Sequence, residues 1–423
     1  MLNYINLKYK PQKTDLICEF YLEPNNTTIE KAASHVALES SIGTWTDIGT
    51  MNKRIAKTLK PSVFYINKKK NIIKIAYNAN LFEKGNMPQI LSSIAGNIFG
   101  MSALNNLRLL DISFPESIIK SFKGPGFGIN GIRKIIGIRK RPLTGTIIKP
   151  KLGLNEKEHA KVAYDAWTGG LDIVKDDENL TSMKFNKFNK RVIETLKMRN
   201  KAEKETGETK IYMPNVTAET NEMMKRARFV KANGGRYVMI DIITSGWSAL
   251  QTLRNANLGL VIHAHRAGHA AFTRNEKHGI SMLAIAKIAR LIGVDQLHIG
   301  AIVGKMTGTK YEVKDIGENI EEQLIHKNGY HMLEQKWYNI KPTLAVCSGG
   351  LHPGCVPSLM RAMGNNIVIQ CGGGCHGHPD GTKAGAIAIR QAVDSVMKEI
   401  PLKTYAKGHK ELKRALDKFG IIS

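Results

Sequence analysis

From about residue 140 onward, short apolar runs recur along the chain: GTIIKP (145–150), LDIVK (171–175), IYMPNV (211–216), YVMIDI (237–242), GLVIHAH (259–265), QLHIG (296–300), TLAVCSG (343–349) and NIVIQCGG (366–373). Most are nearly continuous in apolar residues rather than alternating, as expected of parallel strands covered on both faces. Between them lie stretches long enough for helices, such as NEKEHAKVAYDAW (155–167) and HGISMLAIAKIARLIG (278–293). Eight strand–helix units over roughly 250 residues fit a closed (β/α)8 TIM barrel better than an open doubly wound sheet.

The first part of the chain has a different texture. Short β-like runs (Leu16–Tyr21, Ser62–Ile66, Asn71–Tyr77) mix with helix-like stretches near 27–38 and 87–95, which predicts a small α+β domain of the ferredoxin-like kind. The Gly- and Pro-containing segment KGPGFGINGI (123–132) reads as a linker. The expected organisation is an N-terminal α+β domain over 1–125, a barrel over 126–395 and a short helical tail over 396–423.

Composition narrows the class. With 42% hydrophobic and 23% charged residues, the 423-residue chain is ordinary for a globular protein. No window approaches the apolar length of a membrane span, and MLNYINLKYKPQKTD lacks a signal-peptide apolar core, so a cytoplasmic protein with no membrane partner is expected. Five cysteines in a long chain do not suggest a disulfide framework. The formal charge of +26 raises the question of nucleic acid. The basic residues are dispersed, however (68–70, 133–141, 184–191), acids recur between them, and few aromatics are interleaved for base stacking. The charge points to a small anionic substrate and not to a nucleic-acid partner.

In TIM barrels the chemistry sits at the C-terminal ends of the strands. Polar residues cluster there: Lys149 and Lys151, Lys175 to Glu178, Asn215, His265 and Arg266, His298, Ser348, and the glycines from 372. On a strand Lys175 and Asp177 share a face, and Glu178 follows where the strand gives out. Two carboxylates at one point suit a hard cation such as Mg2+. Lys175 would then serve only as a neutral amine modified by CO2 to a carbamate; the other reading is a salt bridge that neutralises the acids.

In VIHAHRAGH, His263 reads as a hydrogen-bonded core histidine, His265 as a group for proton transfer and Arg266 as a phosphate binder. CSGG (347–350) and CGGG (371–374) close the last two predicted strands, the recurrent phosphate site of such barrels. Lys305, flanked by Gly304 and Gly308, reads as a group delivered by a mobile loop. The spacing of Cys371, Cys375, His376 and His378 fits no common zinc motif, and no metal is expected there.

Taken in order, GTIIKPKLGL, GGLDIVKDDENL, VIHAHRAGHAAFTRN, HIGAIVGKM, SGGLHPG and CGGGCHGHPDG closely resemble the large subunit of ribulose-1,5-bisphosphate carboxylase/oxygenase (RuBisCO). ESSIGTWTDI (39–48), AGNIFGM (95–101) and GPGFGINGIR extend the resemblance over nearly the whole chain. ENLTS, MIDIITSGWSALQ and HAAFTRN are most similar to the archaeal form III branch, which is associated with nucleotide salvage and works without a small subunit. The resemblance implies Mg2+ held by Asp177, Glu178 and carbamylated Lys175, with CO2 as activator. It gives Lys149 a proton-transfer role at C2 within the KPK motif shared with Lys151, and His265 a role around the sugar hydroxyls.

It further implies that Arg266, His298 and Ser348 hold one phosphate, and that Thr44, Trp45, Gly350, Gly372 and Gly373 hold the other, with Gly349 in the same SGG loop. Lys305 would steady the incoming CO2. Glu39 and Asn97 would complete the partner subunit's site, so an obligate homodimer is implied, with larger rings of dimers as an extension. The implied reaction turns ribulose 1,5-bisphosphate, CO2 and water into two 3-phosphoglycerates, with O2 competing for the same enediolate. The alternative is a RuBisCO-like protein that enolises or isomerises a related sugar phosphate without carboxylation; such relatives tend to lose lysines or glycines that this chain keeps. Gly268, where methionine is commoner, and Cys347, before SGG, depart from the family pattern without removing a catalytic group.

Overall fold

Strand β1 (Asp15–Pro24) buries Leu16, Cys18, Phe20 and Leu22, every second side chain, so that one face of the strand is apolar. It lies antiparallel to β3 (Ile72–Asn78) and β4 (Leu104–Ser113), and β2 (Ser62–Asn67) pairs with β3. With helices at Ile29–Glu39 and Met87–Ile94 the order is βαββαβ, and the four strands lie in the order β4-β1-β3-β2. This is the ferredoxin-like arrangement. β4 has no counterpart among the predicted strands, because Asn105, Asn106, Arg108 and Asp111 break its apolar run.

The computed structural model describes residues 3–303, 310–328 and 332–422, and the chain forms two compact units. The first comprises Met1–Gly124, Gly268–Ile292 and Glu322–Ile340. Its later segments contribute β10 (Gly279–Ile280), which adds to the edge of β4, and the ladder of β12 (Leu324–Ile325) with β13 (Gln335–Lys336). They also contribute the helix Met282–Ile292. From it the buried Lys287 donates to the Asp111 carboxylate at 2.5 Å and to the Ile112 carbonyl at 3.1 Å.

The second unit comprises Pro125–Ala267, Gly293–Glu321 and Lys341–Ser423. Its parallel strands are β5 (Leu143–Ile147), β6 (Ile173–Lys175), β7 (Ile211–Met213), β8 (Tyr237–Asp241), β9 (Val261–His265), β11 (Gln296–Gly300), β14 (Leu344–Ser348) and β15 (Ile367–Gln370). They follow one another as β7-β6-β5-β15-β14-β11-β9-β8. The ring closes where Asn215 bridges Met239: the Met239 N–H donates to the Pro214 carbonyl and the Val216 N–H to the Met239 carbonyl, both at 2.9 Å. The result is an eight-stranded (β/α)8 barrel.

The interior begins with a layer of Leu143, Ile173, Ile211, Tyr237, Val261 and Leu344, early in their strands. The helix Gly128–Ile136 packs Ile129, Ile132 and Ile136 against this layer. Residues 128–132, expected to be linker, are therefore helical. Isoleucines at helical spacing find an apolar end to cover, and this outweighs the low helix propensity of the glycines. Beyond the barrel, helices Leu402–Ala406 and Lys410–Phe419 follow the long helix Gly381–Met397. Among the described residues no helix is long and apolar enough to cross a membrane.

Candidate active site

Strand parity carries chemistry to the C-terminal mouth of the barrel. Ile173 belongs to the interior layer, so Lys175, two residues on, points inward above it. Its side chain is wholly buried, with Nζ donating to the Asp176 carbonyl at 2.9 Å and lying 3.3 Å from Met239 Sδ. This burial pulls the amine below the ordinary lysine range, partly offset by Glu178, Asp177 and Asp176.

The three acids that follow separate into two roles. Asp177 is buried; its Oδ2 accepts from Lys149 Nζ at 2.6 Å, and its Oδ1 accepts from the Asn179 N–H at 3.1 Å. Glu178 lies 3.7 Å from Lys175 Nζ and 3.8 Å from both Lys151 Nζ and His265 Nε2. Burial opposes its ionisation, but Lys175 and His265 overcome this and bring the carboxyl down to about 2. Asp176 engages a different set. Its carboxylate accepts from Tyr212 Oη at 2.7 Å, the Asn215 N–H at 2.9 Å and Arg191 Nε at 3.1 Å. His159 Nε2 lies 3.0 Å from the same group, near enough for charge attraction but out of line for a hydrogen bond.

On the neighbouring strands the inward positions are histidines. His263 Nε2 meets His298 Nε2 at 2.9 Å, and His298 Nδ1 meets Ser348 Oγ at 2.8 Å. His265 stacks edge-on to His298 with centroids 4.8 Å apart, and its Nδ1 lies 3.6 Å from Asp241. Burial, the first cause, and neighbouring positive charge hold His263 down to about 3 and His298 well below its ordinary value. Both shifts favour the neutral ring. Arg266 makes no hydrogen bond or ion pair among the described residues, and burial lowers it to about 10 despite Glu312. A guanidinium without such a partner, close to Gly300 at the end of β11, is a receptor for an anion.

The glycine loops lie at the same mouth. Gly349 and Gly350 have φ of +116° and +74°, which a side chain would resist, so the turn after β14 depends on them. A Cβ on Gly372 would lie 3.5 Å from Lys149 Cε, whereas one on Gly373 would meet nothing within 4 Å, leaving its backbone open to a ligand. His376, in contrast, is tied to Thr146 Oγ1, the Ile147 carbonyl and Thr382 Oγ1, each at 2.9 Å. Burial pushes the Cys375 thiol up to about 12.

In the first unit, Glu39 ends the helix Ile29–Glu39, Thr44 and Trp45 follow it, and Asn97 opens the short 3-10 turn Asn97–Gly100. Trp45 is 84% exposed. Lys305 and its flanking glycines Gly304 and Gly308 lie outside the described residues. Two residues that contact the site histidines escaped sequence reasoning. Asp241 accepts from the Ala267 N–H at 2.7 Å beside His265, and Gln296 Oε1 meets His263 Nδ1 at 2.9 Å. Asp241 was findable as the last residue of the run YVMID; Gln296 was not, because it starts a strand instead of ending one.

Comparison with known proteins identifies the family. Residues 128–419 match the catalytic domain of the ribulose bisphosphate carboxylase large chain, and residues 3–118 match its N-terminal domain. A ribulose bisphosphate carboxylase of Methanosarcina mazei is 51% identical over 422 residues, covering 99% of both chains. One of Pyrococcus abyssi is 51% identical over 425 residues, covering 100% of this chain and 97% of the relative. Among solved structures, the dimeric archaeal Rubisco of Hyperthermus butylicus superposes with a TM-score of 0.94 at 45% identity, covering 99% of each chain. The octameric enzyme of Pyrococcus horikoshii, in complex with sulfate ion, gives 0.91 at 49% identity, covering 99% of this chain and 96% of that one. The chain belongs to the ribulose bisphosphate carboxylase large-chain family.

Proposed function

We propose that this protein carboxylates ribulose 1,5-bisphosphate with Mg2+ and a carbamate on Lys175, giving two 3-phosphoglycerates. The observation that carries the reading is Lys175 itself, a fully buried amine placed within 3.7 Å of the Glu178 carboxylate. A neutral amine has the lone pair that adds to CO2; the N–C bond forms as a proton leaves, and the lysine becomes an anion. The donor set fits a divalent cation. Asp177 and Glu178 already gather three lysine nitrogens within 3.8 Å. Asp177 and Glu178 offer two carboxylates, and a carbamate on Lys175 would add a third anionic oxygen to them.

When bound, Mg2+ would polarise the C2 carbonyl and stabilise the charge that develops as C3 loses its proton. The residues do the rest. Arg266, His298 and Ser348 hold one phosphate, and Thr44, Trp45 and the backbone at Gly350, Gly372 and Gly373 hold the other, which fixes C2 and C3 in one orientation. Lys175, once carbamylated, would accept the C3 proton, His265 would handle the hydroxyl protons, and Lys149 would return a proton at C2 after cleavage. Lys305 offsets the charge of the new carboxylate. The exposed Trp45, with Thr44, Glu39 and Asn97, supports a homodimer in which these residues complete a partner's site. A role in nucleotide salvage without a small subunit belongs to the same proposal and rests on likeness to archaeal relatives. The test is fixation of labelled CO2 into 3-phosphoglycerate after incubation with bicarbonate and Mg2+. Activity is expected in the native protein and lost in Lys175→Ala; a native protein that fixes none refutes the reading.

A further inference from the structure

The second glycine loop, CGGGCH (371–376), is tied at both ends to the last residues of β5. At its entrance the Cys371 N–H donates to the Gly145 carbonyl at 2.9 Å, and the Thr146 hydroxyl donates to the Cys371 carbonyl at 2.7 Å. At its exit, on the turn Gly373–His376, the His376 ring comes back to the same strand. Its Nε2 lies 2.9 Å from both the Ile147 carbonyl and Thr146 Oγ1, and its Nδ1 lies 2.9 Å from Thr382 Oγ1. A carbonyl can only accept, so Ile147 fixes the ring proton on Nε2. Thr146 Oγ1, whose own proton goes to Cys371, accepts from the same N–H. Nδ1 then takes the Thr382 hydroxyl proton, and both ring nitrogens are engaged. Burial, the first cause, and the Lys149 charge push the ring down to about 4 against the Ile147 bond, which favours this neutral form.

Between the two ties lie Gly372 and Gly373, whose backbone the proposed reaction uses for a phosphate. Two residues past Ile147 stands Lys149, which it uses to return a proton at C2. The two are already close, since a Cβ on Gly372 would lie 3.5 Å from Lys149 Cε. We infer that His376 is a positioning residue that locks the phosphate loop to the strand end bearing Lys149, so that the anchored phosphate and the proton donor keep one fixed separation. The Cys371 bonds hold only the entrance of the loop. Three successive glycines leave the rest free to swing, and the bond from His376 to Ile147 removes that freedom. With both nitrogens engaged inside the protein, the ring has no group to offer the substrate. Its loss therefore acts on orientation and not on affinity.

The inference rests on the proposed roles of Lys149 and the Gly372–Gly373 loop, and the experiment separates the two. His376→Leu, His376→Gln and His376→Asn are made in the full-length protein, activated with bicarbonate and Mg2+, and assayed for kcat and KM with ribulose 1,5-bisphosphate. A glutamine amide reaches the place of Nε2 and can donate to Ile147, whereas an asparagine amide reaches only the place of Nδ1. In His376→Leu and His376→Asn kcat is expected to fall about 10- to 100-fold, the cost of a misplacement on the ångström scale, with KM changed less than about threefold. His376→Gln should recover most of kcat. 15N spectra of labelled histidines, assigned by the signal missing from His376→Gln, should show the His376 proton on Nε2 whether or not the protein is active. A proton on Nδ1 overturns the inference. So do native kcat in all three variants, a loss confined to KM, or a glutamine variant no better than the asparagine one. If His376→Leu fails to fold, the comparison of glutamine with asparagine decides alone. A native protein that fixes no CO2 overturns the proposed reaction and this inference with it.

Discussion

Asp176→Asn tests whether the segment bearing the metal ligands is held from behind. Asp176 is fully buried and accepts from Tyr212, the Asn215 backbone and Arg191, with His159 close by. Arg191 is itself buried; its remaining bonds go to the Asn186 side chain at 2.9 Å and the Thr181 carbonyl at 2.7 Å, neither of which carries charge. An asparagine has the same shape but no charge, and its amide must aim N–H groups either at Tyr212 and His159 or at Arg191 and Asn215. The second choice sets donor against donor, and the first still leaves the buried Arg191 without an anion. Removing one partner of a buried ion pair costs about 3–5 kcal/mol, because the other charge stays buried. With the bonds to Arg191 and Tyr212 made to one carboxylate, the upper half of that range is expected. Equilibrium denaturation in urea should show the loss as a lower midpoint at unchanged slope. Because Lys175 and Asp177 flank this residue, labelled CO2 fixation should fall as well. A variant that loses less than about 1 kcal/mol and keeps native activity would show that Asp176 does not hold the segment, and the reasoning would fail.

Other sites give independent checks. Lys287→Met strands the buried Asp111 carboxylate in the first unit and should cost about 3–5 kcal/mol, read by denaturant unfolding; a loss within about 0.5 kcal/mol would contradict the pairing. Arg266→Met removes a cation without an ion-pair partner among the described residues, so the ligand-free protein should gain about 0.5–2 kcal/mol in thermal unfolding while its phosphate binding disappears. Acid stability follows from Asp172, fully buried and forked to Arg141 by two contacts of 2.7 Å. Burial acts to raise its carboxyl, yet Arg141 holds it below the ordinary value, so its contribution is complete above the unfolded pKa of about 3.9 and disappears as pH falls through the lower folded value. Unfolding midpoints of Asp172→Asn should therefore be lower than native at neutral pH and converge toward it below about pH 4.

The barrel was legible because buried parallel strands are nearly pure apolar runs, and the strand-end rule then selected Lys149, Lys175, His265, His298 and Ser348 together. What stayed hidden depends on partners far away in sequence. β4 reads as polar because Arg108 and Asp111 look exposed until Asn275 and Lys287, more than 160 residues later, are brought to them. Strand β7 ends at Met213, short of the predicted IYMPNV, because Pro214 has no N–H for the ladder and the contact passes to Asn215. His263 reads correctly as a bonded core histidine, but the identity of its partners, Gln296 and His298, comes only from strand order. The direction of charge was the least legible. Strand alternation turns Asp176 away from the face of Lys175 and Asp177, but KDDE gives no sign that its partner is Arg191 or that Asp177 meets Lys149.

The first unit is assembled from three separate stretches of chain, and this bears on how the protein is made. A nascent chain that has reached Gly124 holds β1 to β4 but lacks β10 beside β4 and the 322–340 segment. At that length Asp111 is committed to an interior whose lysine lies at position 287, still unsynthesised. The N-terminal unit therefore cannot complete its core ahead of the barrel, as an N-terminal domain ordinarily does during synthesis. Six of the barrel strands, β5 to β9 and β11, leave the ribosome before residue 340 does. Cutting the chain at 124 would not release a finished domain, and the two units are expected to mature together on the ribosome.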